Sequence, residues 1–390
     1  MKPRHLAVTE RDVLLLIGTM KGAFLARSVT GKGPWQLGGP YFTGHAAYAM
    51  AYDDRAGRTR LWVAATSGHF GVVLHASDDF GRTWTAPESA PIRFPEDSGA
   101  VLKQIWQICL GPPDDPDRLY CGVEPAALFE SHDAGATWSL VRGLFAHPHR
   151  PRWQPGGGGL CLHTILPDPQ QKERMLVAIS TGGVYRTEDG GRTWEPSNTG
   201  IRAEFLPDKH PEFGQCVHKM VQHPSRPERV FLQNHWGLYR SNDGGASWKD
   251  VANGVPSDFG FAMAIHPHDP DTVYVVPLES DEFRATPEGR LRVYRTRNAG
   301  RSWRALTRGL PQQGAFETVL RDALATAPTH PAGVYFGTRS GCVWGSRNNG
   351  DAWELVHRGL PPVACVKAVV VGPLPSTRRR GSRAKGTARA

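Results

Sequence analysis

The octapeptide Thr187-Glu188-Asp189-Gly190-Gly191-Arg192-Thr193-Trp194 decides the fold of this chain, because it is one of six copies of a single pattern. The copies are SDDFGRTW (77–84), SHDAGATW (131–138), TEDGGRTW (187–194), SNDGGASW (241–248), TRNAGRSW (296–303) and SRNNGDAW (346–353). Their final tryptophans are 54, 56, 54, 55 and 50 residues apart. Self-similarity at a period of this size indicates a repeat architecture, in which each repeat is one supersecondary unit.

Each copy predicts a tight turn between two β-strands. The third-position Asp can accept hydrogen bonds from the backbone, and Gly supplies a positive φ. A β-rich run precedes each copy, as at 183–186, and the Trp opens the next strand. Two more such runs lie upstream, for example 216–221 and 229–233. Each repeat therefore contains four antiparallel strands, as a propeller blade does.

The two ends of the chain together predict one further blade. Residues 12–39 look like a repeat that lacks its first strand, and 363–371 form a strand where a new blade would begin. We therefore expect an all-β fold: a seven-bladed β-propeller of four-stranded antiparallel blades over residues 10–375, whose first blade is closed by the C-terminal strand. A basic, disordered tail follows at 376–390. The alternative, six blades with loose ends, would leave two apolar strands unpaired.

The pattern S/T-x-D-x-G-x-T/S-W resembles the Asp-box, or BNR repeat, of sialidase-like propellers, and the resemblance covers nearly the whole chain. Asn298 and Asn348 replace Asp in the last two copies, and Ala352 replaces Thr or Ser, which predicts weaker turns. The resemblance implies that the Asp-box is structural and not catalytic. The Arg-Ile-Pro signature of sialidases precedes the first box, whereas the similar segment 92–95 follows it here. No sialidase residue can be carried over, so a sialidase-like glycosidase is the least favoured function.

Composition favours a cytoplasmic protein that binds neither membranes nor a specific nucleic acid. The net charge is +9, but six basic residues and no acidic residue lie within 378–389, which leaves +3 for the rest of the chain. No run approaches the roughly 20 apolar residues of a membrane-spanning helix. The six cysteines show no CxxC spacing, so reduced thiols are expected.

Polar residues recur at one depth of the predicted channel. Alignment of the blades on their first turn gives one inner-strand residue per blade: Lys367, Tyr48, Gln107, His163, His218, Phe261 and Asp322. The long connections at 86–103, 143–159 and 197–215 belong to the same end of the ring. Long ordered loops are often functional, so we expect the site at this mouth.

Three kinds of chemistry fit these residues. Neutral imidazoles suit one divalent metal, Zn, Fe or Mn, which predicts the ligands His45, His163, His218 and His235. General acid–base catalysis would use His163, His218, Glu124 and Asp322. An anionic, carbohydrate-like substrate would bind to Arg152, Trp153, Arg321, Trp236 and Lys367, because arginines pair with carboxylates and flat rings pack on sugars. The alternative to a metal is a ring of histidines hydrogen-bonded around a wet channel.

Two neighbouring blades share a Cys-x-His pair, Cys161/His163 and Cys216/His218. Alternation along a strand sends both members of a pair to one side. Four glycines, 156–159, precede the first pair and allow a close backbone approach or clear room for a neighbouring loop. These patterns favour a hydrolase or lyase with a histidine-rich site, possible metal assistance and a small-molecule substrate. A non-enzymatic scaffold that binds a protein partner remains the alternative.

Overall fold

The computed structural model describes residues 2–69, 71–85, 87 and 90–374. Within them the chain forms seven antiparallel sheets, arranged in sequence order around a closed ring. The predicted seven-bladed β-propeller is thus confirmed. The predicted basic tail at 376–390 lies outside the described residues.

The strands follow the repeats along the chain. In the first half they are β1 (Val13–Thr19), β2 (Gly22–Ser28), β3 (Trp35–Tyr41), β4 (Ala46–Asp53), β5 (Arg60–Ser67), β6 (Gly71–Ser77), β7 (Gln104–Leu110), β8 (Leu119–Glu124), β9 (Ala127–Ser131), β10 (Ser139–Leu140), β11 (Leu162–Pro167), β12 (Met175–Ile179), β13 (Gly183–Thr187) and β14 (Glu195–Pro196). In the second half they are β15 (Val217–His223), β16 (Arg226–Asn234), β17 (Leu238–Ser241), β18 (Lys249–Asp250), β19 (Gly260–His266), β20 (Asp269–Pro277), β21 (Val293–Thr296), β22 (Arg304–Leu306), β23 (Leu324–Ala327), β24 (Gly333–Gly337), β25 (Val343–Ser346), β26 (Glu354–His357) and β27 (Val363–Val370).

Helical structure is confined to short connections. One α-helical turn, α1, spans Arg142–Phe145, and 3₁₀ turns span Val29–Gly31, Arg55–Gly57, Glu96–Ser98, Arg150–Arg152 and Pro287–Gly289. In the part of the chain that the structure describes, no helix has the length and apolar character needed to cross a membrane.

The C-terminal strand closes the ring, as the sequence predicts. Strand β27 pairs antiparallel with β1, with Val13 opposite Val370 and Leu16 opposite Lys367, so the first sheet has the order β27-β1-β2-β3. Strand β1 is buried along its whole length. Its continuous apolar sequence needs a partner on both edges and packing on both faces, and β27 covers the inner edge.

Six blades show four strands, and the second shows β4, β5 and β6. After the octapeptide, the chain of this blade still pairs with β6: the Thr85 amide donates to the carbonyl of Ala76 at 2.8 Å. Residues 86, 88 and 89, which follow, lie outside the described residues.

The octapeptide forms a hydrogen-bonded turn in each of its six copies, shown here for the fourth blade. The Thr187 hydroxyl donates to Asp189 Oδ1 at 2.9 Å and accepts the Gly191 amide at 2.9 Å. Asp189 also accepts the backbone amide of Thr193 at 2.9 Å and its hydroxyl at 2.7 Å. These two bonds from Thr193 lower the pKa of Asp189 to about 2. Gly191 has φ 91°, which explains the fixed glycine.

Each blade runs outward from the channel, so its loops divide between two faces. The octapeptides and the turns between first and second strands occupy one face. The loops between second and third strands, and the connections between blades, occupy the other, which we call the upper face. Inner strands β27, β4, β7, β11, β15, β19 and β23 line the channel. Side chains at their starts therefore converge at the upper mouth.

Candidate functional site

A cavity of about 180 Å³ lies at the upper mouth of the channel. Every blade contributes to its wall. One lining residue from each blade, in ring order, is Ala364, Tyr48, Trp106, Ser180, His218, Phe261 and Asp322. Four of the seven aligned channel residues (Tyr48, His218, Phe261 and Asp322) line this cavity, which places the site at the end of the ring that the sequence predicts.

Three potential metal ligands meet in the wall of this cavity. One ligand atom each from Cys216, His218 and His235 lies within 4.8 Å of the other two. Cys216 directly precedes β15 and His218 is the second residue of that strand, and Cys216 Sγ lies 3.6 Å from His218 Nε2. The His235 amide donates to the Cys216 carbonyl at 2.9 Å, so backbone pairing holds the third residue beside the first.

Hydrogen bonds decide which ring nitrogens are free. His218 Nδ1 lies 2.6 Å from the Gly260 carbonyl, and His235 Nε2 lies 3.3 Å from Asp281 Oδ2. A carbonyl and a carboxylate can only accept, so these nitrogens carry the protons. The lone pairs are therefore on His218 Nε2 and His235 Nδ1. Burial lowers the pKa of His218 well below its usual value, with Arg321 adding to the effect, and keeps the ring neutral.

An arginine packed between two aromatic rings forms another wall. The Arg321 guanidinium carbon lies 5.1 Å from the Trp106 ring centroid and 5.6 Å from that of Phe261. Its Nε donates to the His218 carbonyl at 3.1 Å. Among the described residues, no acceptor bonds its terminal nitrogens. Arg284 also lines the cavity, 5.5 Å from the Phe261 ring.

Asp322 forms a buried ion network at the inner end of the cavity. Its Oδ1 lies 2.6 Å from Lys219 Nζ and 3.1 Å from Lys367 Nζ. Burial alone would raise the pKa of Asp322, but the two ammonium groups outweigh it and hold that pKa well below the usual range. The carboxylate is ionised at neutral pH, so it is an anion and not a proton donor. Lys367 is held by this network and is not among the residues that line the cavity.

Other polar channel residues tie neighbouring blades together. Gln107 Oε1 accepts the Ile165 amide at 2.8 Å, which joins the third blade to the fourth. His163 Nε2 lies 2.9 Å from the Val217 carbonyl and its Nδ1 lies 3.0 Å from the Thr164 hydroxyl. Adjacent inner strands lack a full hydrogen-bonded ladder, so side chains make these connections. The structure thus places His163 inside the wall, fully buried and with both nitrogens engaged, and not with His218 in the cavity.

Glu124 contacts residues of the upper mouth but does not line the cavity itself. Its Oε2 accepts the indole N–H of Trp106 at 3.1 Å. A Cβ on Gly159 would lie 2.5 Å from Glu124 Oε1, so this glycine of the 156–159 run allows a close backbone approach. Glu124 therefore positions a cavity-lining ring and is not itself in the lining.

The remaining predicted residues are dispersed. His45 is half-buried and lies outside the Cys216–His218–His235 cluster. Trp153 is buried and donates to the Tyr185 hydroxyl at 2.8 Å, and exposed Arg152 stacks on Phe213. Trp236 is half-exposed at the rim, 4.2 Å from the His235 ring.

Sequence reasoning missed several residues of the site. The sequence marks Cys216 only as the partner of His218. The Cys-x-His spacing is the signal that could have identified it as a potential metal ligand. Asp281 and Arg284 lie in the long connection between β20 and β21, and Phe259 precedes β19. No local pattern marks these three, because only the ring brings them to the cavity.

Comparison with known proteins supports the architecture. The family model of sortilin and neurotensin receptor 3 (Sortilin-Vps10) matches residues 182–314, roughly a third of the chain. A candidate 6-phosphogluconolactonase of Bacteroides uniformis superposes with a TM-score of 0.57 at 10% identity, over 92% of this chain and 100% of that one. The chain is a β-propeller protein.

Xyloglucan-degrading enzymes are among its relatives. An ancestral GH74 enzyme superposes on this propeller with a TM-score of 0.53 at 17% identity, over 79% of this chain and 38% of that one. In sequence, a "Probable oligoxyloglucan-reducing end-specific xyloglucanase" of Neosartorya fischeri is 25% identical over 268 residues, 60% of this chain and 30% of the relative. The chain spans less than a third of the length of the curated relatives it matches.

Proposed function

We propose that this chain is an Asp-box propeller, located in the cytoplasm, that acts as a hydrolase or lyase on an anionic, carbohydrate-like small molecule at the upper mouth. The observation that supports this most is the position of Arg321, whose terminal nitrogens have no acceptor among the described residues while aromatic rings flank its guanidinium. A guanidinium of this kind suits a substrate carboxylate or phosphate, which it can bind through two parallel hydrogen bonds.

The walls of the cavity fit a sugar ring beside that anion. Phe261 and Trp106 are flat and apolar, and such faces pack against the C–H surfaces of carbohydrates. The low-identity similarity to xyloglucanases favours the same substrate class. Asp322 does not repel an anion, because Lys219 and Lys367 more than neutralise it.

We assign proton transfer to the imidazoles of His218 and His235. Their free nitrogens belong to neutral rings, and a neutral imidazole in hydrogen-bond reach of a hydroxyl or water can accept its proton. Burial lowers the pKa of both rings. Both rings are therefore uncharged at neutral pH, with a lone pair free to accept a proton.

Calorimetric titration with two probes tests the proposal: oligogalacturonides, which carry carboxylates, and neutral xyloglucan oligosaccharides. We expect the wild type to prefer the acidic probe and Arg321→Gln to weaken its binding about 10- to 100-fold, as loss of a charge-assisted pair does. Arg192→Gln, on an exposed turn of the opposite face, is the matched control. Equal binding by wild type and Arg321→Gln would refute an anion site at this arginine. Release of reducing ends then tests hydrolysis.

Exposed aromatics favour a second candidate, a scaffold that binds a protein partner. Phe205, Phe283 and Phe316 are 47%, 54% and 63% exposed and belong to upper-face connections. Exposed apolar groups clustered on one face are typical of interaction sites. This candidate predicts that Phe283→Ser abolishes recovery of a stoichiometric partner while Arg321→Gln does not. The hydrolase proposal predicts the opposite dependence for ligand binding.

A further inference from the structure

Cys216, His218 and His235 lie close enough together to form a three-ligand metal site. With Zn–S near 2.3 Å and Zn–N near 2.0–2.1 Å, a thiolate and an imidazole on one zinc ion are about 3.6 Å apart. The observed separation of Cys216 Sγ and His218 Nε2 is 3.6 Å. All three ligand atoms lie within 4.8 Å of one another, so one ion could contact all three once the side chains adjust to bonding distance.

The groups behind the histidines match those of known metal sites. Metal-binding imidazoles usually donate their second N–H to a backbone carbonyl or a carboxylate, which fixes the tautomer. His218 does so to the Gly260 carbonyl and His235 to Asp281. Because both partners are present, the tautomer of each ring is fixed: the lone pairs lie on His218 Nε2, which faces Cys216 Sγ, and on His235 Nδ1.

The equivalent position of the fourth blade lacks such a ligand cluster. Cys161 and His163 repeat the Cys-x-His pair, but Ser180 stands where the fifth blade has His235. The Ser180 amide donates to the Cys161 carbonyl as the His235 amide does to Cys216. His163 Nε2 is also already hydrogen-bonded to the Val217 carbonyl. The fourth blade therefore lacks a third ligand and a free nitrogen.

We propose that Cys216, His218 and His235 bind one divalent transition-metal ion, Zn²⁺ by their ligand chemistry, with its fourth position open to the cavity. A one-sulfur, two-nitrogen set suits zinc, and three protein ligands with an open position are typical of catalytic sites. Coordination expels the thiol proton of Cys216, so the ligand set carries one negative charge. Asp281 adds a second, and these two negative charges together balance the charge of the Zn²⁺ ion.

The role of the metal in turnover rests on the proposed function, whereas its binding does not. A bound zinc ion would lower the pKa of a water in the open position and so supply a nucleophile near neutral pH. Cys216, His218 and His235 would hold the ion, and that water would take over the proton-accepting role from the two imidazoles. Arg321 holds the anionic part of the substrate beside it.

Metal loading of the untagged full-length chain tests the site without any substrate. After incubation with Zn²⁺ and dialysis, plasma mass spectrometry should find about one equivalent in wild type and in the matched control Cys161→Ser. His235→Asn and Cys216→Ser should retain less than about a tenth. Asp281→Asn should weaken binding about 10- to 100-fold. Thermal melting identifies any variant that fails to fold. Because His235 is half-buried and Cys216 is buried, we expect His235→Asn to disturb folding less than Cys216→Ser.

Co²⁺ reconstitution identifies the ligands directly. A thiolate-to-cobalt charge-transfer band should appear in wild type and Cys161→Ser and vanish in Cys216→Ser. A wild type that takes up neither Zn²⁺ nor Co²⁺, or a Cys216→Ser variant that keeps the full thiolate band, would overturn the proposal. Arg321→Gln should bind metal normally while losing the acidic ligand. Failure of the metal site and failure of the anion site are thus separate results.

Discussion

At the scale of single residues, Asp322 shows why this channel tolerates buried charge. A carboxylate buried without partners would be strongly destabilising, but two ammonium groups surround this one. Lys219 comes from the fifth blade and Lys367 from the first, so the network also crosses the channel. Removal of the central carboxylate would leave a buried and a half-buried cation without an anion.

We predict that Asp322→Asn lowers the free energy of unfolding by about 3–5 kcal/mol at pH 7, the usual cost of breaking a buried ion pair. The folded-state pKa of Asp322 is lowered, so its contribution is complete above the ordinary carboxyl pKa near 4 and is lost as pH falls below it. The difference in stability between wild type and variant should therefore be constant above about pH 5 and shrink toward pH 2.

Urea denaturation of both proteins across this pH range measures that difference. Other carboxylates with lowered pKa values, such as Asp133 and Asp189, are common to both proteins and cancel. If the difference in free energy of unfolding between wild type and Asp322→Asn stays the same down to pH 2, ionisation of Asp322 does not stabilise the fold.

His163 and His218 show how little a residue's sequence context says about its role. Both follow a Cys-x pattern at the start of an inner strand, and both are nearly inaccessible. His163 bonds the next blade through Nε2, whereas His218 bonds the next blade through Nδ1 and leaves Nε2 toward the cavity. This difference of ring orientation arises from packing and leaves no trace in the sequence.

At the scale of one element, the octapeptide turn tolerates loss of its aspartate. In the sixth blade, Asn298 Nδ2 donates to the Ser302 hydroxyl at 2.9 Å, replacing the bond that a carboxylate would accept. In the seventh, Asn348 Oδ1 accepts the Ala352 amide at 2.9 Å, but Ala352 has no hydroxyl. The backbone turn survives in both, with one hydrogen bond fewer in the seventh.

We predict that Ala352→Ser raises the free energy of unfolding by about 0.5–1 kcal/mol, because the new hydroxyl can accept from Asn348. The mirrored change, Ser302→Ala, should lower it by a similar amount. Differential scanning calorimetry of the two variants and the wild type checks the pair. Changes of the same sign in both variants would contradict a role for this hydrogen bond.

At the scale of the whole molecule, the ring depends on one strand from the far end of the chain. Strand β27 pairs along the entire length of β1, and both contribute to the cores on either side of the first blade. Without β27, the apolar strand β1 would present an unpaired edge.

A chain ended after Pro362 should therefore aggregate and show no cooperative melting, whereas one ended after Leu374 should melt like the full chain. Size-exclusion chromatography and calorimetry of both truncations test this. Similar melting of the two would mean that the ring is stable without its closing strand.

The sequence by itself determined the repeat, the number of blades, the closing strand and the face on which the cavity opens. These follow from local physics, because turn chemistry and strand periodicity act over a few residues and recur in every repeat. Only the tertiary structure decided which polar side chains meet. Strand pairing within the fifth blade brings His235 beside Cys216, and the closed ring brings Arg321 of the seventh blade to the same cavity. Each histidine's free nitrogen depends on a backbone carbonyl or carboxylate of the sixth blade.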